Sequence, residues 1–212
     1  RQMCIRDRLY VTLESKGIIS PETLDTLGQY GSILSGHPTI EVPGIEVNTG
    51  ALGHGLSIGV GMALAAKMNH QSYKTYVLMG DGEQGEGSIY EAAMAANQYK
   101  LDNLVAIIDR NRLQISGTTE EVMAIEDIYQ RWTALGWDVK HMNGDNIEDI
   151  VNCFSEIDFE SKRPHLLISH TTKGKGVSYM ENVTKWHHGV PNQEEFDLAI
   201  KEISERIATL EK

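Results

Sequence analysis

Four short apolar runs set the limits on what this chain can become: Lys74–Met79, Leu104–Asp109, Trp137–Met142 and His165–Thr171. Each is rich in β-branched or large apolar residues and reads as a strand. The segments between them are long enough for helices: alanine-rich Gly87–Tyr99, then Ile125–Leu135, then Ile147–Asp158. Leu56–Met68, small and apolar on most faces, predicts a buried helix before the first strand, and Glu194–Leu210 an amphipathic helix after the last. Strands alternating with helices predict an α/β fold, a parallel sheet with helices on both faces. Ligands of such sheets sit outside the carboxyl ends of the strands. Gly80–Gly85 and Arg110–Gly117 follow strands directly, so both lie on that edge.

Upstream the pattern is looser. Leu9–Lys16 reads as the end of a helix stopped at Gly17, and Pro21 opens a short helix over Glu22–Tyr30. Gly31–Gly55, punctuated by glycine and proline, is too long for an ordinary connector and predicts a functional loop. Met3–Arg8 resembles translated sequencing-adaptor sequence, so residues 1–8 are read as foreign and 9–212 as one domain. A native chain beginning further upstream is the matching expectation. A net charge of −11 argues against a nucleic-acid surface. No apolar run reaches membrane-spanning length and no signal-peptide pattern is present, so a cytoplasmic enzyme is expected. Cys4 and Cys153 make neither a disulfide framework nor a CxxC metal pair.

The loop after the first strand poses a problem of charge. Gly80-Asp81-Gly82-Glu83-Gln84-Gly85 spells the glycine fingerprint of a dinucleotide loop, yet it carries Asp81 and Glu83, with Glu86 just beyond. A diphosphate in a low-dielectric cleft would be repelled by Asp81. Either the loop binds no phosphate, or a divalent cation stands between the charges. Mg²⁺ takes six oxygens in an octahedron and often shares them with substrate phosphates. Asp81 can supply one oxygen, and Asn111, about thirty residues on at the end of the next strand, an amide oxygen. A carbonyl just beyond Asn111 can supply a third. Against this, Gly-Asp-Gly is also an ordinary turn, and asparagine after a strand an ordinary cap.

At this point the chain resembles the thiamine-diphosphate enzymes and, in finer detail, the N-terminal half of transketolase. The similarity runs from about Leu9 to the C-terminus, through "SGHPT", "NTGALGHGLSIGVGMALA", "GDGEQGEGSIYEAAMAA", "RNRLQISG", "GWDVKHMNGDNIEDI", "TTKGKGVSYMEN" and "WHHGVP". It implies a thiamine-diphosphate-binding (PP-type) domain in which Asp81, Asn111 and the Leu113 carbonyl hold Mg²⁺ or Ca²⁺. Gly82 would let the backbone approach the diphosphate. Gly50 and Leu52 match positions beside the aminopyrimidine ring, and Ile115 a position against the thiazolium; for Leu52 and Ile115, plain packing is the competing account. His37 matches a histidine that contacts substrate hydroxyls, and His188 one near the diphosphate and the reacting carbon. Imidazole exchanges protons near neutral pH, as carbonyl–carbinol interconversion requires. Glu86 and Glu91 match glutamates at a subunit interface linking two cofactor sites, although carboxylates in a first helical turn also answer the helix dipole.

The family's catalytic glutamate lies in a pyrimidine-binding domain C-terminal to this one. The resemblance therefore implies half an active site: an N-terminal subunit of a split transketolase, or a fragment shortened at both ends. The partner would be a C-terminal transketolase subunit, and the assembly a heterotetramer moving a two-carbon ketol unit from a ketose phosphate to an aldose phosphate. Competing readings are a 2-oxoacid dehydrogenase α chain, a deoxyxylulose-phosphate synthase fragment, a dinucleotide-binding module using Asp109, and a non-catalytic paralogue. "GHP" and "WHHGVP" favour transketolase, because they match positions that contact sugars.

Overall fold

In the computed structural model, which describes residues 3–210, four strands form one parallel sheet. They are β1 (Thr75–Gly80), β2 (Leu104–Arg110), β3 (Asp138–Asn143) and β4 (His165–His170), in the spatial order β1-β2-β4-β3. Every pairing is parallel. The helices are α1 (Met3–Ser15), α2 (Pro21–Leu24), α3 (His54–Met68), α4 (Gly87–Gln98), α5 (Thr119–Val122), α6 (Ile128–Ala134), α7 (Ile147–Ser155) and α8 (Gln193–Leu210). The α/β architecture expected from the alternation is the one observed.

Alternate strand residues feed two separate apolar layers, as a period of two requires. Met79, Leu104, Ala106, Ile108, Leu166 and Ile168 pack beneath α3, α4 and α6. Val105 and Leu167 face the other way, with Met142, against Cys153 and Phe154 at α7. The second layer covers β1 only in part. Tyr76 meets Phe154 with ring centroids 6.0 Å apart, yet Tyr76 and Leu78, on that face of the edge strand, are each 52% exposed.

The chain divides into two compact units. Residues 52–186 and 190–212 hold the sheet; residues up to Ala51, with His187–Gly189, form the other. The smaller unit has its own core of Tyr10, Leu13, Ile19, Leu34 and Val42, and the Tyr10 hydroxyl donates to the Ser35 carbonyl at 3.1 Å. Met3 onward is helical backbone continuous with Leu9–Ser15, and Gly17 ends the turn at φ +69°.

One expected helix is much shorter. Glu22–Tyr30 reduces to Pro21–Leu24, capped by the Ser20 side chain, which accepts from Thr23 N. Gly28 and Gly31, at φ +76° and +81°, adopt left-handed backbone that interrupts the helical path. Between α2 and α3 there is no regular element, as the punctuation predicts. The other boundaries agree with expectation to within three residues. Asp127, for example, starts α6 late by accepting from Gln130 N at 3.1 Å. No helix among the described residues is long and apolar enough to cross a membrane.

Candidate active site

Because the sheet is parallel, all carboxyl ends meet at one edge. Gly80 pairs with Asp109, so the next residues, Asp81 and Arg110, arrive side by side. Asp81 is 2% exposed. Its Oδ1 accepts from Gly82 N at 2.7 Å; its Oδ2 accepts from Arg112 N at 2.6 Å and Arg110 Nη1 at 3.1 Å. Burial pushes the Asp81 carboxyl above its ordinary value, and the donors from Arg112, Arg110 and Gly82 pull it back. Three N–H groups aimed at its oxygens suit a carboxylate.

Arg110 is the buried partner that the sequence did not announce. It is 2% exposed and reaches four acceptors. Nη1 donates to Asp81 and to Thr119 Oγ1 at 2.8 Å; Nη2 donates to Glu126 Oε1 at 2.6 Å and Glu120 Oε1 at 3.3 Å. Its Nε is buried with no hydrogen-bond partner. Nothing in "DRNR" distinguishes Arg110 from Arg112; the sheet register does.

Asn111 turns the chain out of β2. Its Oδ1 accepts from Leu113 N at 3.1 Å and its Nδ2 donates to Asp109 Oδ1 at 3.3 Å. Leu113 forms a bridge with Thr118 whose bonds are Gln114 N to Gly117 O and Thr119 N to Arg112 O. The Leu113 carbonyl stays outside that ladder. The loop closes on α5 through a capping box between Thr118 and Glu121. Gly82 faces this loop at close range: a Cβ there would meet Gln114 Cγ at 2.9 Å. Ile115 is 40% exposed, so no core packing accounts for it.

Leu52 is half-buried, and its carbonyl lies 3.1 Å from His54 Nδ1. Glu83 holds this segment to the loop after β1. Its two carboxylate oxygens accept from Gly53 N at 2.8 Å and Gly80 N at 3.1 Å. Glu83 is thus a clamp, a role that only the fold reveals. Glu86 stands at the N-cap of α4 without a side-chain cap bond, its stem packed against Gly53. Glu91 is exposed one turn on.

His37, Gly50 and His188 belong to the smaller unit. His37 is exposed, and its ring lies where a Cβ on Gly50 would stand, 3.2 Å from Cδ2. Gly50 has φ +139°, a left-handed-side conformation open to glycine. His188 is exposed and packs edge-on to His187, ring centroids 4.6 Å apart.

Beside Asn111 opens a cleft of about 630 Å³, lined by Arg112, His141, Asp145, His170, Thr172 and others at the ends of β2, β3 and β4. His141 Nδ1 and His170 Nε2 are 2.8 Å apart, and Tyr129 stacks on His141. His165, by contrast, is buried, its Nδ1 3.3 Å from Asp138 Oδ2.

Among the described residues no group of three His, Cys, Asp or Glu side chains stands ready for a metal. The donor set that fits Mg²⁺ here is different: one carboxylate, one amide oxygen and one carbonyl. Asp81 Oδ1 receives a single donor and the Leu113 carbonyl lies outside the loop's ladder, so both have oxygen lone pairs to offer. The Asn111 oxygen accepts one bond and has a second lone pair. Backbone without a side chain at Gly82 is the surface an anion would approach.

Residues 8–205 match the family Transketolase, thiamine diphosphate binding domain. The chain is 76% identical over 206 residues to an apulose-4-phosphate transketolase subunit of Phocaeicola vulgatus, covering 97% of this chain and 73% of that protein. It is 38% identical to the 6-deoxy-6-sulfo-D-fructose transketolase subunit SqwG of Clostridium sp. (strain MSTE9), covering 92% and 71%. Its fold superposes on the crystal structure of transketolase from Campylobacter jejuni with a TM-score of 0.80 at 34% identity, over 86% of this chain and 30% of that one. The chain thus spans under a third of that solved enzyme.

Proposed function

The chain belongs to the transketolase family through its thiamine-diphosphate-binding domain, and from that premise we propose that it is the cofactor-anchoring half of a two-chain transketolase. The observation that carries this reading is that Asp81 and Asn111 leave the carboxyl ends of the paired strands β1 and β2, where Arg112 N donates to Asp81, beside a Gly82 that has no side chain. In this reading Asp81, Asn111 and the Leu113 carbonyl hold Mg²⁺ or Ca²⁺, and the Gly82 backbone borders the diphosphate. Bound thiamine diphosphate would supply the nucleophilic thiazolium carbon that ketol transfer needs. Leu52, Gly50 and Ile115 would border its rings, and Glu86 the contact with the second chain.

His37 and His188 would bind sugar hydroxyls and move protons at the carbonyl oxygen, a role suited to exposed imidazoles. A C-terminal transketolase subunit would bring the pyrimidine pocket and its glutamate, in a cytoplasmic heterotetramer. Both split relatives are named as single subunits of their enzymes, which supports a second chain here. The Phocaeicola vulgatus relative favours apulose 4-phosphate as the ketose among sugar phosphates, with the sulfofructose enzyme as the alternative chemistry.

The test is a thiamine diphosphate titration read by near-UV circular dichroism, with and without Mg²⁺ and with and without the partner chain. Metal- and partner-dependent binding that vanishes in Asp81→Ala supports the proposal. Binding that ignores both metal and Asp81 refutes it. Ketol transfer assayed across the candidate sugars then identifies the substrate.

A further inference from the structure

Asp81 does not offer a free carboxylate to a cation. Oδ2 already receives two donors, from Arg112 N and Arg110 Nη1, which use both of its lone pairs. Oδ1 receives one, from Gly82 N, and has one lone pair left. A second positive charge is therefore built into the cradle before any metal arrives. It is held from three sides: Thr119 shares Nη1, while Glu120 and Glu126 share Nη2. The side chains of the two glutamates are each 44% exposed, whereas those of Asp81 and Arg110 are 3% and 2% exposed, so water screens the Arg110–Asp81 pair least. The Nε–H is buried without an acceptor.

We propose that Arg110 is a fixed counter-cation of the metal cradle: it fills the Oδ2 side of Asp81, confines a divalent cation to Oδ1, and makes cation binding conditional on an accompanying diphosphate. The proposal rests on the reading that Asp81 holds the metal. Its reason is electrostatic. A divalent cation on Oδ1 shares one carboxylate with a buried guanidinium, and two like charges at that range repel strongly where water is excluded. A diphosphate brings the compensating negative charge. Arg110 is thus a positioning residue, acting through Asp81 on the order in which ligands bind.

The experiment measures Mn²⁺ affinity by the electron paramagnetic resonance of free Mn²⁺. It uses the chain assembled with its partner subunit, without and with saturating thiamine diphosphate. Wild type is expected to bind Mn²⁺ at least about tenfold more weakly without the diphosphate. Arg110→Met is expected to tighten Mn²⁺ binding in its absence by about tenfold or more, closing the gap, and Arg110→Lys to keep the gap by keeping the charge. A gap as wide in Arg110→Met as in wild type overturns the role of Arg110 while leaving the metal assignment standing. Mn²⁺ binding undiminished in Asp81→Ala overturns both. If loss of the guanidinium prevents folding, Glu126→Gln decides the matter. It turns Arg110 more fully onto Asp81, so the gap should widen several-fold, and an unchanged gap refutes the proposal.

Discussion

Two glycines, Gly53 against Glu86 and Ser88 and Gly82 against Gln114, separate binding from folding. Gly53 sits at φ +81°, and a Cβ there would lie 2.6 Å from both Glu86 Cβ and Ser88 Oγ. Gly53→Ala should therefore destabilise the fold itself, by about 1–3 kcal/mol in urea unfolding. Gly82 has no such backbone constraint, and its neighbour Gln114 is half-buried and can shift. Gly82→Ala should leave unfolding within about 1 kcal/mol of wild type while weakening thiamine diphosphate binding at least about tenfold. Equal loss of stability in the two variants would contradict this division. Asp81→Ala belongs with the first kind: it leaves a buried guanidinium short of one carboxylate, at a cost of about 3 kcal/mol without any ligand present. Asp81 and Asn111 were legible as strand-end residues, because the apolar periodicity sets where β1 and β2 stop. The roles of Arg110 and Glu83 were not legible, since partners about 30 residues away in sequence meet only through sheet register or loop closure.

Among the elements, α6 does more than cover the sheet. Trp132 and Trp137 are both buried and meet edge to face, centroids 4.7 Å apart, at the junction of α6 and β3. Trp137 Nε1 donates to the Ala93 carbonyl of α4 at 3.0 Å. Trp132 Nε1 donates to Gln84 Oε1 at 3.2 Å, which ties α6 to the carboxylate loop. Gln84 Nε2 in turn donates to the Gly80 carbonyl at 3.2 Å. Trp132→Phe preserves most of the packing but leaves the buried Gln84 oxygen without its donor. It should cost about 1–3 kcal/mol in chemical denaturation. It should also speed amide exchange in residues 82–86; exchange unchanged there would mean that Trp132 does not brace the loop. The sequence placed α6, β3 and the loop in the correct order, but a tryptophan–glutamine contact 48 residues apart carries no periodic signal.

For the molecule as a whole, His170 at the end of the sheet contributes to the pH response. Burial, then the charges of His141, Arg112 and Arg110, hold its pKa below the ordinary 6.5. The unfolded chain therefore takes up this proton more readily than the folded one. The stability involved is whole above about pH 6.5 and is lost as pH falls through that value toward the folded pKa. Urea midpoints should fall between pH 7.5 and 5.5, and His170→Gln should flatten that slope; an equal slope in the variant would assign the protons elsewhere. What the sequence by itself determined was the parallel α/β sheet and the arrival of Asp81 and Asn111 at its carboxyl edge. These follow from periodicity, which is local. Tertiary structure alone decided that Arg110 rather than Arg112 is buried beside Asp81, that Glu83 is a clamp, and that β1 keeps one face partly open. Each depends on which strands become neighbours and in what register, and the free energy that selects a register is summed over the whole sheet.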